Sequence, residues 1–178
     1  YWWSPDSASI AFLRTDENPV PKFVLTNDIP NDQTVENTDY PQAGDPNPLV
    51  KLAVADVKAA KVSFVELNNY KPEDFLISRV DWSPDSKSVI WQAQNREQTF
   101  LDLNAADRAT GKVRTLFKET SPAWVEVNGN PTWLSDGSFI WESARSGWNH
   151  LYHYAGDGKL IKQITDGKWE VRSFYGLD

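Results

Sequence analysis

The feature that most constrains the fold is a phrase written three times: Trp3-Ser4-Pro5-Asp6-Ser7, Trp82-Ser83-Pro84-Asp85-Ser86 and Trp133-Leu134-Ser135-Asp136-Gly137. Each copy is followed by a short apolar run: Ile10-Ala11-Phe12-Leu13, Ser88-Val89-Ile90-Trp91 and Ser138-Phe139-Ile140-Trp141. The unit predicts a strand ended by a buried aromatic, a tight turn and a returning strand. Proline presets the backbone for the first central position of a type I turn, and Asp or Gly suits the positions after it. The copies stand 79 and 51 residues apart. A period of about 40 to 50 residues built from short strands marks a β-propeller blade. The fold class is therefore all-β: a partial propeller of about three four-stranded blades.

A closed propeller takes at least about four blades, so the ring is read as incomplete and the chain as a segment of a longer protein. Its opening on Tyr1-Trp2-Trp3, its close on Val171-Arg172-Ser173-Phe174-Tyr175 and its lack of Met agree with that reading. Blade 1 is expected over about 1–77, blade 2 over 78–128 and blade 3 over 129–168, with 169–178 starting another. Strands are predicted at 9–14, 49–56, 62–66, 78–82, 88–94, 99–104, 113–118, 139–143, 149–155, 159–164 and 171–175. Turn chemistry separates them at Thr110-Gly111, Asp136-Gly137, Gly156-Asp157-Gly158 and Asp166-Gly167. Ala53–Ala60 has helix-favouring residues but no helical apolar period, and is read as a strand running into a turn.

Residues 18–48 break the rhythm, being rich in Pro, Asn and Asp. Composition alone leaves two readings. One is a disordered surface loop; the other is an arm in which Lys22–Asn27 pairs with Thr34–Asp39 as a projecting hairpin, an edge that seeks a partner.

The charge balance of 18 Lys plus Arg against 25 Asp plus Glu, a net of −7, argues against a nucleic-acid partner and against an anionic membrane surface. Zero Cys excludes disulfides and thiolate metal sites within the segment. No phosphate-cradling glycine loop and no Gly-x-Ser-x-Gly elbow occurs; Ser146-Gly147 lacks the leading Gly. His150 and His153 are three apart, so on a strand they point to opposite faces and share no metal. Asp6, Asp85 and Asp136 recur at one position of the repeat, which suits a turn-former better than a catalytic acid. Glu119, Glu126 and Glu142 read as isolated acids, and Arg79, Arg96 and Arg145 as scattered solvated cations. No catalytic residue, cofactor site or metal site is predicted. The segment reads as a scaffold or binding surface.

Three stretches carry a more specific signal. They are Tyr1-Trp2-Trp3-Ser4-Pro5-Asp6, the run Tyr40-Pro41-Gln42-Ala43-Gly44-Asp45-Pro46-Asn47-Pro48-Leu49-Val50-Lys51-Leu52, and Ser146-Gly147-Trp148-Asn149-His150-Leu151-Tyr152 followed by Ile164-Thr165-Asp166-Gly167-Lys168-Trp169-Glu170-Val171. In that order they resemble the propeller of the dipeptidyl peptidase IV family of serine peptidases. The resemblance covers nearly the whole chain, thinning at 58–77 and 94–122. It implies a secreted, periplasmic or membrane-anchored exopeptidase that releases Xaa-Pro or Xaa-Ala dipeptides from peptide N-termini. The propeller would gate access to a C-terminal α/β-hydrolase domain holding the catalytic triad. A pair of Glu that holds the substrate ammonium would lie upstream of Tyr1. The resemblance also implies homodimer contact through the arm at 18–44. It places Ala123-Trp124-Val125-Glu126 on a loop lining the outer substrate pocket, which makes Trp124 the one candidate substrate-contact residue. The family's aromatic–Arg pair is not reproduced there, since Val127-Asn128-Gly129 stands in its place, and a core position for Trp124 is the competing reading. The Trp-Ser-Pro-Asp phrase is shared with TolB-like propellers, so the alternative is a protein-binding propeller with no peptidase role. A sugar-binding propeller would rest on abundant Trp alone. The Tyr40–Leu52 run and the long first interval favour the peptidase.

Overall fold

In a computed structural model describing residues 1–67 and 69–176, the chain is built from antiparallel strands, with no helix among the described residues. The first sheet joins β1 (Trp2–Trp3), β2 (Ser9–Asp16), β5 (Leu49–Asp56) and β6 (Lys61–Phe64) in that order. The second is a meander of β7 (Phe75–Trp82), β8 (Ser88–Asn95), β9 (Phe100–Asp107) and β10 (Val113–Thr120). The third contains β11 (Thr132–Trp133), β12 (Phe139–Ser143), β13 (His150–Tyr154) and β14 (Leu160–Gln163). Three four-stranded antiparallel sheets in succession are the architecture expected of a partial propeller.

The repeated phrase does build one turn three times. The i to i+3 backbone bond runs from Ser7 N to Ser4 O, from Ser86 N to Ser83 O and from Gly137 N to Leu134 O, at 2.8, 2.9 and 3.0 Å. The last turn residue is left-handed in every copy, with φ of 57° at Ser7, 60° at Ser86 and 83° at Gly137. Only the third copy uses the residue that adopts this conformation without strain. The aspartates are turn-formers. Asp6 Oδ1 accepts from Ser4 Oγ at 2.6 Å and Ala8 N at 3.0 Å, and Asp85 Oδ1 accepts from Ser83 Oγ at 2.7 Å and Lys87 N at 3.1 Å. Asp136 Oδ1 accepts the equivalent Ser138 N at 2.9 Å, but its hydroxyl donor is Ser138 Oγ, because Leu134 offers none.

The middle sheet is buried on both faces. Val89, Trp91 and Ala93 of β8 point toward Ala11, Leu52 and Val54 of the first sheet. Ile90 of β8 and Leu101, Leu103 and Ala105 of β9 point toward Phe139, Trp141, Tyr152 and Tyr154 of the third. Alternation along a strand makes this possible, since successive side chains leave opposite faces. The first sheet has a single covered face. Trp2 packs on its core side, whereas Trp3, expected to be a buried strand end, is 51% exposed because it is next in the alternation. At the turn end the sheets are latched by side chains. Ser86 Oγ accepts from Asp6 N at 3.0 Å, and Arg108 Nη1 donates to Asp6 Oδ2 at 2.6 Å. The hydrogen bond from Ser4, the Arg108 guanidinium and the Ala8 amide together hold the Asp6 carboxyl down at about 2. Toward the third sheet, Arg114 reaches Gly156 O at 3.3 Å.

Between β2 and β5 the chain leaves the sheet as a hairpin of β3 (Lys22–Asn27) and β4 (Thr34–Asp39), paired from Lys22↔Asp39 to Asn27↔Thr34. Of the two readings of this segment, the arm is the observed one. Ala53–Ala60 is a strand to Asp56 and then a turn, as expected. The strand expected at 171–175 is absent. A strand-like run becomes a strand only against a partner, and here one backbone bond ties Val171 N to Asn149 O at 2.8 Å.

Candidate functional site

Two loops leave the same end of the second and third sheets: residues 121–131 after β10 and 144–149 after β12. They rim a cleft of about 240 Å³ whose walls include Glu119, Ser121, Trp124, Glu126, Arg145 and Gly147. It adjoins a wider concavity of about 700 Å³ bounded by Trp124, Trp148, Asn149, Glu170 and Arg172.

The first loop has no strand ladder, and its backbone is satisfied by the middle sheet. Ser121 N donates to Thr99 O at 2.9 Å and Val125 N to Gln98 O at 2.7 Å. Gln94 Nε2 donates to Val125 O at 2.9 Å and Gln92 Nε2 to Gly129 O at 2.6 Å. Both glutamines sit on an otherwise apolar strand and are 1% exposed. A buried amide there must find partners, and the loop carbonyls are those partners. Anchored in this way, Val125 turns into the core and its neighbours turn out. Trp124 is 64% exposed, with its Nε1 donating to Glu126 Oε2 at 3.1 Å. The core reading of Trp124 is therefore wrong: the indole lies on the cleft wall.

The second loop closes on Gly147, whose φ of +95° permits the bond from its N to Ala144 O. Asn149 Nδ2 donates to Glu142 Oε2 at 3.0 Å and to Val171 O at 2.8 Å, while its Oδ1 accepts from Asn128 of the first loop at 3.2 Å.

The charged residues at the loop roots are not the scattered solvated groups that the sequence suggested. Glu119 is buried, and its carboxylate accepts from Trp141 Nε1 at 2.7 Å, from Ser143 Oγ at 2.9 Å and from the Arg145 guanidinium. Arg145 in turn lies over the ring of Tyr152, 4.6 Å from its centroid. Burial alone would lower its pKa, and the facing Glu119 carboxylate more than reverses this, holding the cation firmly charged. Glu126 and Glu142, read as isolated, are bonded to Trp124 and Asn149. Arg79 is exposed as expected, and Arg96 caps Asp45 O at 3.1 Å.

Both histidines are structural. Buried His150 spends its ring nitrogens on Thr165 Oγ1 and Gly167 O, each at 3.1 Å, with Trp169 edge-on at 5.2 Å. His153 faces away and meets Ser138 Oγ at 2.8 Å. Ser146 Oγ has Tyr152 OH as its neighbour at 3.2 Å, not an imidazole. Among the described residues no three of His, Cys, Asp and Glu gather as metal ligands. The arrangement offers an exposed indole at Trp124 and a cation held by Glu119. Sequence reasoning missed Gln92, Gln94, Glu119 and Arg145. The one visible signal was Gln-x-Gln inside an apolar strand, where two polar side chains share a face.

Known proteins place the whole chain. The family model described as the dipeptidyl peptidase IV (DPP IV) N-terminal region matches residues 1–178. The "Probable dipeptidyl-aminopeptidase B" of Pyrenophora tritici-repentis is 32% identical over 198 aligned residues, covering 96% of this chain and 22% of that protein. A crystal structure from Bacteroides ovatus ATCC 8483 superposes with a TM-score of 0.86 at 28% identity, over 99% of this chain and 28% of the other. Porphyromonas gingivalis dipeptidyl peptidase 4 superposes at 0.89 with 24% identity, over 99% and 25%, and shows the fold. The chain thus spans between 22% and 28% of the length of these relatives. With the run around Tyr40–Leu52, the three sheets and the match from end to end, the chain belongs to the dipeptidyl peptidase IV N-terminal region family.

Proposed function

We propose that the chain is the non-catalytic propeller segment of an exopeptidase that removes Xaa-Pro or Xaa-Ala dipeptides from peptide N-termini. Its part is to gate substrate access to a C-terminal α/β-hydrolase domain. The observation that carries this reading is membership of the family over residues 1–178. The cleft supports it, because Trp124 and Arg145 line an opening that adjoins the wider concavity of about 700 Å³. Attack on a peptide bond needs a nucleophile, a base and an oxyanion hole, and neither histidine has a ring positioned as that base.

The arm is the proposed homodimer contact. Val24 and Val35 are 55% and 62% exposed, and Ile29 at the hairpin tip is 92% exposed, which is more apolar surface than a solvated loop requires. We also propose a location outside the cytoplasm, periplasmic, secreted or membrane-anchored, for which the family resemblance is the support and fractionation of the source cells the check.

The test is hydrolysis of Gly-Pro and Ala-Pro chromogenic substrates. The chain alone is expected to release nothing, and the complete reading frame to release dipeptides. Turnover by the pure chain would end the non-catalytic reading, and an inactive complete protein would end the peptidase reading.

A further inference from the structure

The two cleft loops are rooted on opposite sides of one ion pair, whose Glu119 carboxylate is buried and whose Arg145 side chain is 31% exposed. We propose that Glu119 and Arg145 are positioning residues that fix the cleft rim bearing Trp124 for an extended peptide chain. The ligand class rests on the peptidase reading above; the geometry does not.

Glu119 is the penultimate residue of β10, and loop 121–131 starts two residues later. Its three donors, Trp141, Ser143 and Arg145, all come from β12 and the start of loop 144–149. Ser143 Oγ also accepts from Arg145 N at 3.2 Å and Nε at 3.0 Å, so the guanidinium is held through both Nε and Nη2. Aromatic rings hold its flat face, with Tyr152 and Tyr154 of the third sheet and Phe117 of the second having ring centroids 4.6, 5.5 and 5.9 Å from Cζ. Every degree of freedom of the cation is constrained by a group on a rigid strand.

Stability alone does not call for such an arrangement. Apolar residues of equal volume commonly replace a buried ion pair without loss of stability. What they cannot replace is direction, since a planar guanidinium and a carboxylate fix distance and orientation together. Here the direction fixed is that of loop 144–149 relative to loop 121–131, and hence the spacing of Trp148 and Trp124 across the wider concavity. A binding rim misplaced by about an ångström loses much of its value in orienting a substrate.

The experiment compares Arg145→Lys and the double variant Glu119→Leu/Arg145→Met with the unaltered protein by amide hydrogen exchange and denaturant unfolding. The double variant is expected to unfold cooperatively at a somewhat lower midpoint, since Trp141 Nε1 loses its acceptor. Its Ser121, Val125 and Gly147 amides should exchange about tenfold faster or more, with β8 and β9 unchanged. Arg145→Lys, which keeps the charge but loses the fork, should move the same amides by a smaller factor. In the complete peptidase the double variant should raise KM about tenfold and change kcat by less than about twofold. Wild-type exchange at the three amides, or a rise matched throughout β8 and β9, would overturn the positioning role. Absence of dipeptide release by the wild-type peptidase would overturn the peptide ligand together with the peptidase reading, while the exchange rates still decide the positioning role.

Discussion

The middle sheet and the arm are both antiparallel β-structure of good register, yet they live under opposite conditions. In β8 and β9 all six interior residues of each strand are buried, and both faces meet another sheet. In β3 all six residues are exposed, and β4 is exposed except near Thr38 and Asp39. A backbone ladder is common to both, so ladders alone do not distinguish a core from an appendage. What differs is the apolar area removed from water, at roughly 25 cal/mol per Å². The middle sheet is held by its neighbours, whereas the arm is held by its own hydrogen bonds and by a Phe23–Tyr40 ring contact at 5.7 Å. An isolated two-stranded hairpin is marginal in water. The arm's exposed apolar residues are the surface that the proposed dimer contact would cover.

The sharpest break in this comparison is Trp91→Ala. The indole is fully buried between the first two sheets, and its removal should destabilise the chain by about 3–5 kcal/mol, read from the denaturant midpoint. A loss below about 1 kcal/mol would mean that the sheets do not rely on each other. Next comes Gly158→Ala. A Cβ on this residue, at φ +92°, would stand 2.2 Å from Leu116 O of the middle sheet, so a loss of about 2 kcal/mol or more is expected.

The repeated turns sharpen the contrast further. Ser7→Gly should stabilise by up to about 1 kcal/mol, because it relieves a left-handed serine at an exposed position. Ser86→Gly relieves the same strain but deletes the buried hydroxyl that accepts from Asp6 N, worth about 1 kcal/mol, and should come out neutral or destabilising. Equal effects from the two variants would remove the latch assigned to Ser86. Acid should act on the same turns. The folded-state pKa values of Asp6, Asp85 and Asp136 lie below their unfolded values. Their contribution is thus complete above about pH 4 and is lost as pH falls, for Asp6 through about 2. Asp6→Asn should flatten the acid limb of the stability curve measured by thermal melts from pH 5 to 2, and an unchanged limb would exclude it.

At the small end stands the arm. Serine at Val24, Leu25 and Val35 should leave the melting of the chain within about 0.5 kcal/mol of wild type. Deletion of residues 22–40 should convert any dimer seen by light scattering to monomer; a dimer that persists would take the interface elsewhere.

The repeats carried the architecture because turn chemistry is local: Ser-Pro-Asp specifies its own geometry, and the apolar runs beside it specify strands. The bounds of β3 and β4 were legible for the same reason, lying between proline-rich breaks. The cleft was not legible in this way. Glu119 and Arg145 are 26 residues apart in sequence and meet only because two sheets pack, and nothing local to either residue announces a partner. Trp124 turned outward because Gln94 and Gln98 of another element hold Val125 inward, a decision made outside its own segment. The run at 171–175 failed in the converse sense: its β-favouring residues form no ladder, because composition alone supplies no strand to pair with.

The arm leaves the first sheet from between β2 and β5, whose ladder runs unbroken from Ser9↔Asp56 to Asp16↔Leu49. That ladder closes beneath the insertion and makes its register independent of whatever lies above. Loop closure grows only logarithmically unfavourable with length, by about 0.6 kcal/mol for each doubling. The position behaves as a socket: a longer, shorter or differently decorated hairpin can be carried there while the sheet below keeps its pairing. Change of association partner and preservation of fold can then proceed separately within one lineage.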